Sequence, residues 1–177
     1  AVAQRVVPAL VADGDPVHWI IDDTGFPKKG THSVGVAHQY CGQSGKQDNC
    51  RVAVSLSFAT DKGSIPLNFR LYLPREWTDD VERCRAVGVP DDVSFATKPA
   101  LALLQIEAAL HAGYPSGTVL ADAAYGGETA WREKIEQLGL KYAVAIRGST
   151  KVWWGRYQPR RPPAHRARGR CARDGPL

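Results

Sequence analysis

The sequence has no methionine, no C-x-x-C pair and no apolar run near the roughly 20 residues that span a bilayer. The last absence argues against a helical membrane anchor in the chain. Four cysteines (Cys41, Cys50, Cys84 and Cys171) in 177 residues are too few for a disulfide scaffold, so a reduced, cytoplasmic setting is expected. The start, Ala1-Val2-Ala3-Gln4-Arg5, lacks the basic, apolar and small-residue zones of a signal peptide. With Met missing even at position 1, the sequence reads as a piece of a longer protein. Glutamate is missing from residues 155–177, which hold seven Arg and one Asp and almost no aliphatic residues. Such a stretch buries too little surface to order itself, so a disordered Arg/Pro-rich tail is expected there. Its abrupt onset after Val152-Trp153-Trp154 points to a reading-frame slip in GC-rich DNA, with a basic nucleic-acid arm as the competing reading.

The net charge of +5 belongs to that tail: residues 1–154 hold 16 Lys+Arg against 17 Asp+Glu. Bulk charge therefore does not mark the folded body as a nucleic-acid binder. The length of the whole chain and its 44% hydrophobic content suit one soluble domain with a real core.

Two stretches share one grammar. Val17-His18-Trp19-Ile20-Ile21-Asp22-Asp23-Thr24-Gly25 climbs through apolar residues to an acidic pair, and Thr118-Val119-Leu120-Ala121-Asp122 does the same a hundred positions later. Each reads as a buried strand ending in a carboxylate, at about 17–22 and 118–122. Between them, residues 24–50 are rich in glycine and read as a long functional loop. Arg51–Thr60 and Ile65–Leu73 alternate and flank the turn Asp61-Lys62-Gly63-Ser64, which predicts a hairpin. Residues 74–95 read as irregular. Thr97, Pro99 and Gly113 bracket a helix with Leu101, Leu104, Ile106 and Leu110 on its apolar face. A helix over about 128–138, with Trp131, Ile135 and Leu138 inward and Gly139 as its stop, precedes a fifth strand at 141–146. Residues 5–12, broken by Pro8, read as the end of a helix.

The order β-β-β-α-β-α-β is a ribonuclease-H-like α/β layout with a mixed five-stranded sheet, in which the first and fourth strands are neighbours. Asp22 and Asp122 would then face each other, an arrangement that divalent cations make tolerable for two ionised carboxylates. Two such ions can clamp the attacking and leaving oxygens of an in-line phosphoryl displacement.

The segments I-I-D-D-T-G-F-P-K-K-G, Q-Y-C-G-Q-S-G-K-Q-D-N-C, F-R-L-Y-L-P-R-E-W and V-L-A-D-A-A-Y-G occur in order and together resemble the DDE transposases of bacterial insertion sequences. The resemblance covers about residues 1–154 and implies a partial catalytic domain that cleaves DNA and joins strands at insertion-sequence ends. It implies Mg2+ or Mn2+ held in a two-metal site, DNA as partner, a homo-oligomer in the transposition complex, and a bacterial protein that acts at the nucleoid. It selects Asp22, two before Thr24, and Asp122 of D-x-x-Y-G as catalytic metal ligands. The third acid of the pattern, a glutamate on a later helix, has no counterpart in the tail, so this chain is expected to be inactive; a catalytically dead remnant or a module binding DNA or a partner is the alternative. Asp23 reads as a turn former or supporting group, Lys28 and Lys29 as phosphate contacts or a solvated pair, and Tyr125 as a packing residue. Glu128 and Glu133 read as solvated helix-surface residues rather than substitute acids. His32, His38, Cys41 and Cys50 fit no zinc-finger spacing, and Cys50 reads as a small buried hydrophobe.

Overall fold

The computed structural model describes residues 2–11 and 15–151. The expected tail and the Val152-Trp153-Trp154 onset lie outside the described residues. In chain order the elements are α1 (Val2–Leu10), β1 (His18–Pro27), β2 (Ala37–Cys41), β3 (Lys46–Thr60), β4 (Gly63–Tyr72), α2 (Arg75–Thr78), α3 (Val81–Ala86), α4 (Lys98–His111), β5 (Thr118–Ala121), α5 (Ala123–Gly126), α6 (Thr129–Gln137) and β6 (Tyr142–Val144).

The strands form one mixed sheet in the order β2-β3-β1-β5-β6, with β4 also paired to β3. The β1-β3-β4 pairs are antiparallel, the expected meander, while β5 joins β1 and β6 joins β5 in parallel. Parallel neighbours need crossovers, and α4 and then α5–α6 provide them. This is the ribonuclease-H-like layout with a sixth strand added. The extra strand, β2, lies inside the stretch expected to be a loop: Ala37–Cys41 pairs with Cys50–Lys46 around a turn that ends on Gly45 at φ 65°. The glycines there mark a hairpin turn and not a structureless loop.

The first strand also departs from expectation. It continues to Pro27 because β3 pairs with it along its whole length, from His18↔Ala59 to Pro27↔Cys50. On its other edge the parallel pairing with β5 stops at Ile20↔Leu120. Asp22 thus does not end a strand; it sits just beyond the point where one of the strand's two neighbours leaves.

Local signals explain the remaining elements. Thr97 caps α4, its hydroxyl accepting from the Ala100 N–H at 3.3 Å, and Gly113 at φ 74° follows its end. The β3–β4 hairpin closes at Thr60↔Gly63, and Pro66 sits at a register shift near Leu56/Ser57, where a missing donor is tolerated. Residues 74–95 hold two short helices. Trp77 of α2 is fully buried, donates Nε1–H to the Val36 carbonyl at 2.8 Å and lies 3.6 Å under the Arg83 guanidinium of α3.

The main core lies on one side of the sheet. Trp19, Ile21, Val54, Leu56, Phe58 and Val119 supply its floor, and α1, α4, α5 and α6 cover it through Val7, Leu101, Ile106, Tyr125, Trp131 and Ile135. On α4, Leu104 is 45% exposed, against expectation, and Gln105 is buried in its stead, donating Nε2–H to the Val54 carbonyl at 3.2 Å.

Candidate active site

The site is built where β1 and β5 part. Their register pairs Trp19 with Val119 and Ile20 with Leu120. The ladder ends there, two residues before Asp22 on β1 and Asp122 after β5, the two acids expected from the sequence to face each other. Both residues are exposed. Asp22 Oδ1 accepts from the Asp23 N–H at 2.8 Å, and Asp122 Oδ1 accepts from the Ala124 N–H at 2.8 Å, capping α5. The Oδ2 atom of each has no protein partner among the described residues. Two carboxylates, each turned by its own backbone and each with one oxygen free, suit a hard divalent cation that keeps several of its waters. They supply only part of a ligand set: no group of three or more His, Cys, Asp or Glu converges among the described residues. That includes His32, His38, Cys41 and Cys50.

Strand alternation sends Asp23 to the other face from Asp22. It lands on the side of Trp19 and Ile21, over the covered core, where an unpaired carboxylate would be costly. Two side chains meet it. Lys98 Nζ, from the first turn of α4, reaches Oδ2 at 2.6 Å and also lies 5.6 Å over the Tyr72 ring. The Tyr125 hydroxyl, from α5, donates to Oδ1. Tyr125 is 1% exposed and packs on Trp131 with ring centroids 5.8 Å apart. Burial, the bond to Asp23, and the negative charges of Asp23, Asp122 and Asp22 together hold its phenol well above the ordinary tyrosine range. Asp23 is thus held by two partners and forms no turn, since it lies within β1, and Tyr125 packs as expected while also bonding Asp23, a contact the sequence did not reveal. Lys98 was missed altogether. The available signal was the alternation itself, since an acid in phase with Trp19 and Ile21 demands a partner.

A cleft of about 200 Å³ beside this cluster is lined by Asp23, Lys98, Tyr125, Thr97 and Glu128, the last exposed at the N-cap of α6. Glu133 is exposed on α6. Lys28 and Lys29 follow the end of β1. The Lys28 N–H donates to the Asn49 carbonyl at 2.8 Å, and Asn49 Nδ2 donates to the Lys28 and Gly30 carbonyls at 2.7 and 3.0 Å. This lysine turn is fastened to β3, with Lys28 half-buried and Lys29 exposed. Cys41 and Cys50 form a small buried cluster with Val52, opposite the end of β1. Desolvation and the neighbouring Cys41 push the Cys50 thiol up to about 11. Burial also opposes ionisation of Cys41, but hydrogen bonds from Ser44 and Cys50 outweigh it and lower its pKa.

A profile of the DDE superfamily endonucleases matches residues 1–176. The chain is 35% identical over 143 residues, 80% of its length, to a protein of Microchaete diplosiphon described as a probable transposase for insertion sequence element IS701. The chain spans about a third of the length of that relative (35%). No solved structure matches it.

Proposed function

The chain belongs to the DDE superfamily endonucleases, and on that premise we propose that residues 1–154 are part of a transposase catalytic domain that cuts DNA at insertion-sequence ends and joins strands to target DNA. The observation that supports this reading is the parallel β1–β5 pairing, whose last pair, Ile20 with Leu120, lies two residues before Asp22 and Asp122 on neighbouring strands. In the proposed role Asp22 and Asp122 hold a divalent cation, Mg2+ or Mn2+, each oriented by the backbone N–H on its Oδ1. When bound, such an ion stabilises charge on phosphoryl oxygens and favours ionisation of the attacking oxygen. Lys28 and Lys29, presented by the Asn49-fastened turn, meet DNA phosphates. Assembly as a homo-oligomer on DNA belongs to the same reading.

A second reading, in which the chain binds metal and DNA without cutting, is favoured by one observation: no group of three or more candidate metal ligands converges among the described residues. Titration of the full chain with Mn2+, followed by electron paramagnetic resonance, tests the metal site without requiring turnover. Asp22→Asn and Asp122→Asn should each weaken binding by at least about 10-fold. Equal binding by parent and both variants would remove the site, and a loss confined to Asp23→Asn would reassign it. Incubation of the parent with Mn2+ and labelled duplex then separates the readings, since binding without nicking selects the second. For the lysines, the double alanine variant should flatten the salt dependence of DNA binding by about one to two units of log–log slope; an unchanged slope would place them away from the phosphates.

A further inference from the structure

Backbone pairing does not fix the separation of Asp22 and Asp122. The β1–β5 ladder ends two residues before both acids, at Ile20↔Leu120, and each chain then follows its other neighbour: β1 stays with β3, and the Ala145 N–H donates to the Ala121 carbonyl at 3.0 Å. One side-chain bond spans the gap, and a second holds its β1 end. Asp23 follows Asp22 directly, and Tyr125 follows Asp122 by one turn of α5, so the Tyr125–Asp23 bond ties the two acid-bearing segments together. Lys98 closes the second oxygen of Asp23 from α4 at 2.6 Å. Both anchors sit on packed elements. Tyr125 is buried against Trp131, and Lys98 lies next to the Thr97 cap of a 14-residue helix.

We propose that Asp23, Tyr125 and Lys98 form a brace that sets the spacing of Asp22 and Asp122, with Tyr125 and Lys98 as positioning residues. The proposal rests on the reading of those two acids as the metal-holding pair. Because Asp22 and Asp23 are adjacent on one strand, any rotation or slip of β1 that moves one carboxylate moves the other. The Asp23 carboxylate, pinned on the core side, therefore holds the Asp22 carboxylate in place on the solvent side. The same bond pins the first turn of α5, whose N-cap is Asp122 itself.

The test uses the full chain and two readouts. Tyr125→Phe keeps the ring packing and removes the hydroxyl. Lys98→Met keeps the stem and removes the charge, and Lys98→Arg restores it. Far-ultraviolet circular dichroism confirms that each variant is folded. Mn2+ affinity should fall roughly 10-fold in Tyr125→Phe and in Lys98→Met, as for other groups that orient a metal ligand, and return most of the way in Lys98→Arg. Amide hydrogen exchange at Asp23, Ala124 and Tyr125 should accelerate about 10-fold or more in Tyr125→Phe, whether or not metal is present. Loss of exchange protection with no Mn2+ binding even in the parent would keep the brace and sink the metal-site reading. Unchanged exchange at these amides in folded Tyr125→Phe would overturn the brace. So would Mn2+ affinity within twofold of a binding-competent parent in both Tyr125→Phe and Lys98→Met.

Discussion

Replacing Gly126 by alanine should loosen the acid-bearing end of the sheet, and the coordinates set the size of the effect. A Cβ at this position would lie 2.2 Å from the Ala145 carbonyl oxygen, with the Val144 Cβ and Cγ2 at 2.8 and 2.9 Å. Carbon–oxygen contacts settle near about 3.3–3.6 Å, so α5 would have to retreat from β6 by about 1 Å. Neither obstacle is the tip of a flexible side chain. Overpacking of this kind costs about 1–3 kcal/mol, and the conformational gain of alanine over glycine returns about 0.5–1 kcal/mol. Taking the middle of each range, the net loss is about 1 kcal/mol. With a urea dependence of about 2 kcal/mol per molar, the unfolding midpoint should drop by roughly 0.5 M. Tryptophan fluorescence can follow the transition, because Trp131 is 2% exposed and packs against Tyr125. Gly30→Ala is the control. Nothing lies within 4 Å of a Cβ there, so its midpoint should move by no more than about 0.5 kcal/mol allows. Identical midpoints for the two variants would refute the close-approach argument.

Trp77→Phe should destabilise the chain by about 1–3 kcal/mol, since it leaves the buried Val36 carbonyl without its donor and removes part of the surface under Arg83; thermal melting checks this, and an unchanged transition would mean the 74–95 segment contributes little to the cooperative fold. Stability should also fall at alkaline pH. The Cys50 thiol is raised to about 11, chiefly by desolvation, and the Tyr125 phenol is raised by burial and by Asp23. In both, the folded state holds its proton more tightly than the unfolded chain, so their contribution is full below the unfolded pKa and is lost as pH climbs through the folded one. For Cys50 that window runs from about pH 9 to 11. Urea midpoints at pH 8 and 10.5 should differ more in the parent than in Cys50→Ala, and equal differences would contradict the assignment.

Much of this architecture can be read from the residues, and the failures have physical causes. The helix bracketed by Thr97 and Gly113 is where expected because a cap and a positive-φ stop are local signals. The β3–β4 hairpin is legible for the same reason. The length of β1 is not, because Asp23, Thr24, Gly25 and Pro27 are turn-forming residues held extended by a partner strand. The added hairpin strand hides in Ala37-His38-Gln39-Tyr40-Cys41, whose burial alternates too weakly to stand out against the surrounding glycines. At the site, the adjacency of the two acid-bearing strands β1 and β5 is legible from strand order, whereas Lys98 could not be found locally because its partner lies 75 residues away. Asp23 reads as one acid of a pair until its phase against Trp19 and Ile21 is counted.

The pairing of β1 with β5 joins residues 100 positions apart, His18 with Thr118. Closing so long a loop costs about 4 kcal/mol of chain entropy beyond a constant, whereas the β3–β4 hairpin closes across two residues. The meander can therefore assemble early, and the parallel strand must dock onto it late. During synthesis the acids cannot meet until Asp122 and the turn of α5 behind it have emerged. A nascent chain halted before that point would hold most of its sheet and none of its candidate chemistry.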